Sequence, residues 1–321
     1  MTSAREAEAP GFEQVARFGV SVALAGGWRS WLAGWAGRTD LASVPPAVIA
    51  AAAADTEAIE PGSTVWLATP VHFIAGLTSV HLAPQGLLYL SQDERQHLVA
   101  DFRSVFDGSG YRLLSLDSGG FLLIAPAQCL ARTFEPARWL GSNVAEALPD
   151  GADAAGLRRL GAEIEMWLHE HPVNVERAAR GEPVVSGLWL WGGGPMADVA
   201  RSSGVADIAF GSEDYLAGLW RACGSRPSPL PRQFSDVLGY AAPRAVLLLQ
   251  ATREARPQAS GGLRDGLAQI DRQWIAPAVE ALRAGQVERV SVVANDRHLS
   301  VRRRDFLRRW RRPRRGWTGL Q

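Results

Sequence analysis

The segment from His171 to Pro195, HPVNVERAARGEPVVSGLWLWGGGP, constrains the fold more than any other part of the chain. A helical pattern over Glu163–Leu168 runs into it through His169, Glu170 and His171, and Pro172 stops that helix. A short charged stretch follows, then Gly181, then the apolar run Val184–Trp191. Trp189 and Trp191 are two residues apart, so on a strand they face the same side. Three glycines and a proline come next. Glycines directly after a buried-looking strand imply a sharp turn or a close approach of the backbone to another group. The pattern therefore predicts a strand that ends in a turn at Gly192–Pro195, near the middle of the protein.

A chain of 321 residues, 47% hydrophobic and 21% charged, is long enough for two domains and a substantial core. The net charge of +1 gives no global field that would favour nucleic acid or a membrane surface. The charge is uneven, however: Arg302 to Arg315 holds nine arginines against one acid, Asp305. None of the 34 basic residues is a lysine, which excludes Schiff-base chemistry, a P-loop lysine and a lysine general base. Cys129 and Cys223 are far apart and in no metal-ligand spacing, as expected for a reducing cytoplasm. The apolar stretch Phe18–Trp28 is broken by Gly-Gly and, at about 11 residues, is too short to span a bilayer. A soluble, cytoplasmic protein with no membrane contact is expected.

Along the chain, three regions emerge. Residues 1–60 read as an N-terminal helical extension, with residues 1–10 disordered and one or two short helices from Phe12 to Trp35. Residues 61–150 read as a smaller α+β unit. In it, Val65–Ile74 is a strand, Ser91 and Glu94 form a capping box, and the following helix runs to about Phe106, burying Leu98, Phe102 and Val105. Tyr111–Leu116 and Phe121–Ile124 form a hairpin. Residues 151–321 read as an α/β unit with an arginine-rich tail. Its strands are Val184–Trp191, Ala206–Phe210, Ala245–Gln250 and the pair Val287–Ala294 with His298–Arg302; its last long helix is Gly261–Ala284. Strands alternating with helices predict an α/β fold with a mainly parallel sheet covered by helices on both faces.

The motifs carry little chemistry. The glycine turn lacks the GxGxxG and P-loop patterns, so as an anion cradle it is weak. His169-Glu170-His171 has no third metal ligand nearby, and reads as the exposed end of a helix. No GxSxG elbow is present. Aromatic residues alternate with the terminal arginines, but no nucleic-acid motif accompanies them, so nucleic acid is not the expected partner.

The segment resembles one found in the archaeal-type, cofactor-independent phosphoglycerate mutases of the alkaline phosphatase superfamily, which runs D-H-P-V-N…R…G-x-L-P-A-N-x-x-L-L-R-G-A-G. His171-Pro-Val-Asn174, Arg177, Gly181, Pro183, Leu190, Gly192 and Gly194 follow it in order. The resemblance continues through Ala206–Gly224, Ala245–Thr252 and Ile270–Pro277, and spans about Ala154–Ala294, roughly half the chain. Trp66-Leu-Ala-Thr-Pro-Val-His72, Leu168–Asn174, Leu188–Gly194 and the Trp310-Arg-Arg ending are similar to a bacterial group labelled phosphoglycerate mutase or Rpf-type regulatory protein.

The departures bear on function. Where the mutases carry the metal-binding loop D-E-A-G-H-D-G, this chain has Thr252-Arg-Glu-Ala-Arg-Pro-Gln-Ala-Ser-Gly261. Residues 1–60 show neither the aspartate-rich loop nor the nucleophilic serine that the resemblance implies. The late D-H-x-T-P is reduced to Asp296-Arg-His298, the arginine before G-A-G is Trp191, and the asparagine is Ser186. Two-metal phosphoryl transfer needs several carboxylates and histidines. The sequence thus nominates no catalytic residue, metal ligand or cofactor. It points to a non-catalytic regulatory or binding protein, with an active mutase or phosphohydrolase of rearranged site as the alternative and a regulator that binds acidic partners or nucleic acid through the arginine-rich tail as a second. Asn174, Arg177, Ser186, Trp191, Gly192, Gly193 and Gly194 are the candidate contacts for a small phosphorylated or acidic ligand. Arg302, Arg303, Arg304, Arg308, Arg309, Arg311 and Arg312 are the candidate contacts for an acidic protein partner.

Overall fold

The computed structural model describes residues 9–54, 59–60, 62–117, 119–202, 207–250 and 263–307, with Leu263 and Arg264 described by their backbone. Of the residues 1–10 expected to be disordered, 1–8 lie outside the described residues, as do the loop 252–261 and Arg308, Arg309, Arg311 and Arg312, whereas Ala9 is buried and Pro10 begins a helix. In chain order the elements are α1 (Pro10–Phe18), β1 (Val20–Ala23), α2 (Gly27–Trp35), α3 (Pro46–Ala51), β2 (Thr64–Val71), β3 (Phe73–Ala75), β4 (Val80–Leu82), α4 (Gln92–Val105), β5 (Arg112–Ser115) and β6 (Phe121–Ala125). They continue with α5 (Ala154–His169), α6 (Pro172–Ala179), β7 (Gly187–Pro195), β8 (Ile208–Phe210), α7 (Asp214–Ala222), α8 (Phe234–Val237), β9 (Ala245–Leu247) and α9 (Leu263–Ile270). A π-helical turn at Asp271–Ile275 leads into α10 (Ala276–Ala284), and the hairpin β10 (Arg289–Ala294) and β11 (Arg297–Arg302) follows. The protein is a mixed α/β fold. Its backbone forms two compact units: a central one of residues 44–204 and 212–227, and a terminal one of residues 1–43, 205–211 and 228–321.

The central unit is built on a four-stranded sheet in the order β5-β6-β2-β7. Side chains alternate across it, as the two-residue period of a strand requires. Trp66, Ala68, Phe121, Leu123, Leu188 and Leu190 lie on one face with Leu98 and Phe102 of α4 and Leu157, Leu160, Ile164 and Leu168 of α5. Val65, Leu67, Leu122, Ile124, Trp189 and Trp191 lie on the other with Ala47, Val48, Ala50 and Ala51 of α3. Helices cover both faces of this sheet, and the two tryptophans share one, but the single sheet expected within residues 151–321 does not form among the described strands: β7 joins β2, β8 pairs with β9, and β10 and β11 pair with each other. The strand direction differs from expectation: every pairing in this sheet is antiparallel, and the parallel pair among the described strands is β8 with β9. An apolar run such as that of β7 reports burial on both faces, which parallel sheets usually have. It does not report strand direction.

The capping box forms as expected. The Ser91 N–H donates to Glu94 Oε2 at 2.7 Å, and the Glu94 N–H donates to Ser91 Oγ at 3.2 Å. Val105, however, faces solvent, and Phe106 just past the helix end is buried instead. Phe106 stacks on Phe102 with ring centroids 4.2 Å apart.

In the terminal unit the expected β10–β11 hairpin is joined by β1, which pairs antiparallel with β11. The sequence pattern showed no strand between the helices from Phe12 to Trp35, because β1 is four residues long and its partner lies at the far end of the chain. Phe12, Val15 and Phe18 of α1 are buried with Ile270, Trp274, Ile275, Val279, Leu282, Leu299 and Val301.

Candidate functional site

His171 ends one helix and starts the next. The chain turns after α5, Pro172 occupies the first position of α6, and the Val173 N–H donates to His171 Nδ1 at 3.2 Å. That acceptor role fixes the neutral tautomer with its proton on Nε2. Nε2 lies 3.0 Å from Asp101 Oδ2, within ion-pair range but outside hydrogen-bond geometry. Burial pulls the imidazole below its ordinary pKa and Asp101 only partly offsets this. The expectation of an exposed helix end therefore does not hold at His171, which is 4% exposed.

Asn174 joins the end of α5 to the approach of β7. Its Nδ2 donates to the carbonyls of Leu168 at 2.7 Å and Val185 at 2.9 Å, and its Oδ1 accepts the Val185 N–H at 2.7 Å. Its amide valences are largely spent on backbone. Arg177 is equally committed. Its Nε donates to the Pro183 carbonyl at 2.7 Å and one terminal nitrogen to Glu94 Oε1 at 3.0 Å. Arg180 reaches the same Oε1 at 2.8 Å. Burial pushes the Glu94 carboxyl up, but the Ser91 N–H and the Arg177 guanidinium outweigh it and hold it below the usual range. Glu94 was legible as a cap from its position three residues after Ser91. Its second role, as counter-ion to Arg177 from 83 residues away, had no local signal.

Ser186 Oγ accepts the Phe73 N–H at 3.0 Å and lies 3.4 Å from His72 Nδ1. That nitrogen is 3.0 Å from the Val184 carbonyl, so it carries the proton, and His72 cannot take one from Ser186 through it. Trp191 is buried, with its indole N–H donating to Thr69 Oγ1 at 2.8 Å.

The three glycines do not form the expected turn, since all of them continue β7. Gly192 is required by its left-handed backbone, with φ 63° where the register against β2 shifts, and Gly193 and Gly194 by what lies over them. A Cβ on Gly192 would sit 3.2 Å from Pro46, one on Gly194 would sit 2.5 Å from Pro45, and one on Gly193 would strike the Trp66 indole. The strand is pressed against the start of α3, where a phosphate cradle would need open space.

His171, Asn174 and Arg177 thus gather with Glu94 around α6, while Trp191 and Gly192–Gly194 lie under Pro45 and Pro46. His298 belongs to the terminal unit, where its ring lies 5.3 Å from that of Trp31. Arg302, Arg303 and Arg304 are exposed there at the end of β11. Among the described residues no group of three or more His, Cys, Asp or Glu is placed to hold a metal ion. The described residues therefore do not supply the donor set of a two-metal site. No described helix is long and apolar enough to cross a membrane.

No protein-family model matches the chain. Over 95 residues it is 32% identical to a 2,3-bisphosphoglycerate-independent phosphoglycerate mutase of Methanothrix thermoacetophila. This is weak homology to the cofactor-independent mutases. The match covers 29% of this chain and 24% of that relative. Among solved structures, the chain aligns with the cofactor-independent phosphoglycerate mutase of Thermoplasma acidophilum at 16% identity and a TM-score of 0.38, covering 93% of this chain and 83% of that one. It aligns with a Pyrococcus horikoshii protein at 12% identity and a TM-score of 0.45, covering 94% and 82%.

Proposed function

We propose that this chain is a phosphoglycerate mutase-like protein that acts by binding, in a regulatory or partner-binding role, and not as a metal-dependent mutase. The single observation that carries the reading is the inward commitment of its best-matched segment. Asn174, Arg177 and Trp191 spend their polar atoms inside the protein, and Gly192–Gly194 are covered by Pro45, Pro46 and Trp66. A phosphorylated ligand would have to take Arg177 away from Glu94, which costs the desolvated pair its compensation. The reading therefore favours a protein partner, with the exposed Arg302–Arg304 and the arginines beyond them as the contact for an acidic surface. The sequence similarity to a mutase supports the scaffold and leaves the activity to be tested.

The test is an assay of the purified full-length protein with manganese and 3-phosphoglycerate. No interconversion with 2-phosphoglycerate is expected. Clear turnover that a chelator abolishes would overturn the proposal and restore the reading of an active mutase with a rearranged site.

A further inference from the structure

We propose that residues 9–23 form a strap over the core of the terminal unit, latched by the Asp271 carboxylate, and that this segment undocks while the rest of the unit stays folded. The inference starts at the N-terminus of α1. Ala9 stands at the N-cap position and offers no side-chain acceptor. Instead the Gly11 N–H donates to Asp271 Oδ2 at 3.1 Å and the Phe12 N–H donates to Asp271 Oδ1 at 2.7 Å. The cap of this helix is thus supplied from about 260 residues away. Asp271 is fully buried and is the first residue of the π-helical turn between α9 and α10. Such turns displace side chains from the regular helical ladder, and they concentrate at functional positions.

The approach is closely fitted. A Cβ on Gly11 would come within 2.5 Å of the Ala276 backbone nitrogen and 2.9 Å of Asp271 Oδ1. Only glycine lets α1 lie this near. At the other end of the segment, β1 is an edge strand with all four residues exposed. Its backbone hold is the pairing with β11 alone among the described strands.

The physics of the segment makes its docking conditional. A helix of nine residues is too short to persist by itself, so α1 exists because Phe12, Val15 and Phe18 are buried and because its first N–H groups have an acceptor. Removing the carboxylate takes away the acceptor of two buried N–H groups. Elements of this kind open locally, below the free energy of global unfolding. α1 packs against α10, the π-helical turn and β11, so undocking would open the apolar cluster that Phe12, Val15 and Phe18 share with Val279, Leu282, Leu299 and Val301.

Hydrogen exchange read by mass spectrometry on the full-length protein tests the latch. In Asp271→Ala, amides of residues 11–23 are expected to exchange at least tenfold faster than in the wild type, with α10 and β10 unchanged. Wild-type protection at residues 11–23 in that variant would overturn the proposal. So would an equal loss of protection in α10 and β10, because strap and core would then open as one. Should Asp271→Ala fail to fold, native-state exchange of the wild type in sub-denaturing urea decides the matter. Residues 11–18 should open in a separate class at lower urea than α10, and a single shared class would overturn the inference.

Discussion

Glu94 in the central unit and Asp271 in the terminal unit are buried carboxylates that each hold the N-terminus of a helix, and they are balanced in opposite ways. Glu94 caps its own helix through the box with Ser91, and it also takes Arg177 and Arg180. Its carboxyl is held below the usual range although burial works against it. Asp271 caps a helix remote in sequence with no direct arginine partner among the described residues. Burial raises its carboxyl, and the Phe12 and Gly11 N–H groups together with the nearby Arg272 charge do not cancel the rise. The terminal unit has 22 arginines against 13 acidic residues, and the central unit 12 against 20. An excess of arginine in a unit therefore says nothing about whether its buried acid is paired. A local, neutralised cap makes α4 a fixed part of its unit, whereas a remote, uncompensated cap makes the place of α1 conditional.

The comparison breaks most visibly if the Glu94 pair is removed from one side. Arg177→Met should leave a buried carboxylate short of its main partner and destabilise the protein by about 3 kcal/mol, in the range for breaking buried pairs. Urea unfolding measures this, and a loss below about 1 kcal/mol would show that Arg180 alone suffices.

The second effect is one of sign. The folded state holds the Asp271 proton to higher pH than the ordinary 3.8, so it binds more protons than the unfolded chain in that window. Its contribution to stability is greatest below 3.8 and declines as pH rises through the raised folded value. Glu94 runs the other way: its contribution is present above the ordinary 4.5 and is lost as pH falls through the lowered folded value. Asp271→Asn should remove the first slope and keep the second, at a cost of about 1 kcal/mol for the weakened cap. Unfolding curves from pH 3 to 7, roughly the carboxylate range, read both slopes. An unchanged Asp271 slope in that variant would sink the assignment.

The smallest effect is expected at Arg180, which meets the same Glu94 oxygen from a half-exposed position. Arg180→Ala should cost less than about 1 kcal/mol, because solvent screens an exposed partner. A cost equal to that of Arg177→Met would erase the distinction between the buried and the exposed arginine.

Several parts of the fold were legible because their signals are local. The Ser91–Glu94 box, the β5–β6 and β10–β11 hairpins and the shared face of Trp189 and Trp191 each depend on residues close in sequence. The candidate site was legible as a segment and not as an arrangement. Asn174 and Arg177 stood out as polar residues in a well-matched stretch, and the same polarity serves to tie α5, α6 and the approach to β7 together. At the glycines the sequence left a sharp turn or a close approach of the backbone open, because glycine permits sharp turns. It also permits close packing, and which of the two applies depended on Pro45 and Pro46, far earlier in the chain.

The sequence by itself determined the capped start of α4, the two hairpins, which faces are apolar and which chemistries the chain lacks the residues for. Those properties follow from steric preferences and side-chain periodicity, which act over a few residues. Only the tertiary structure decided that the main sheet is antiparallel, that Arg177 faces Glu94 and that Asp271 caps α1. Each of these joins residues far apart in the chain. The free energy that selects them comes from burial and from satisfying buried polar groups, and it is set only when distant segments meet.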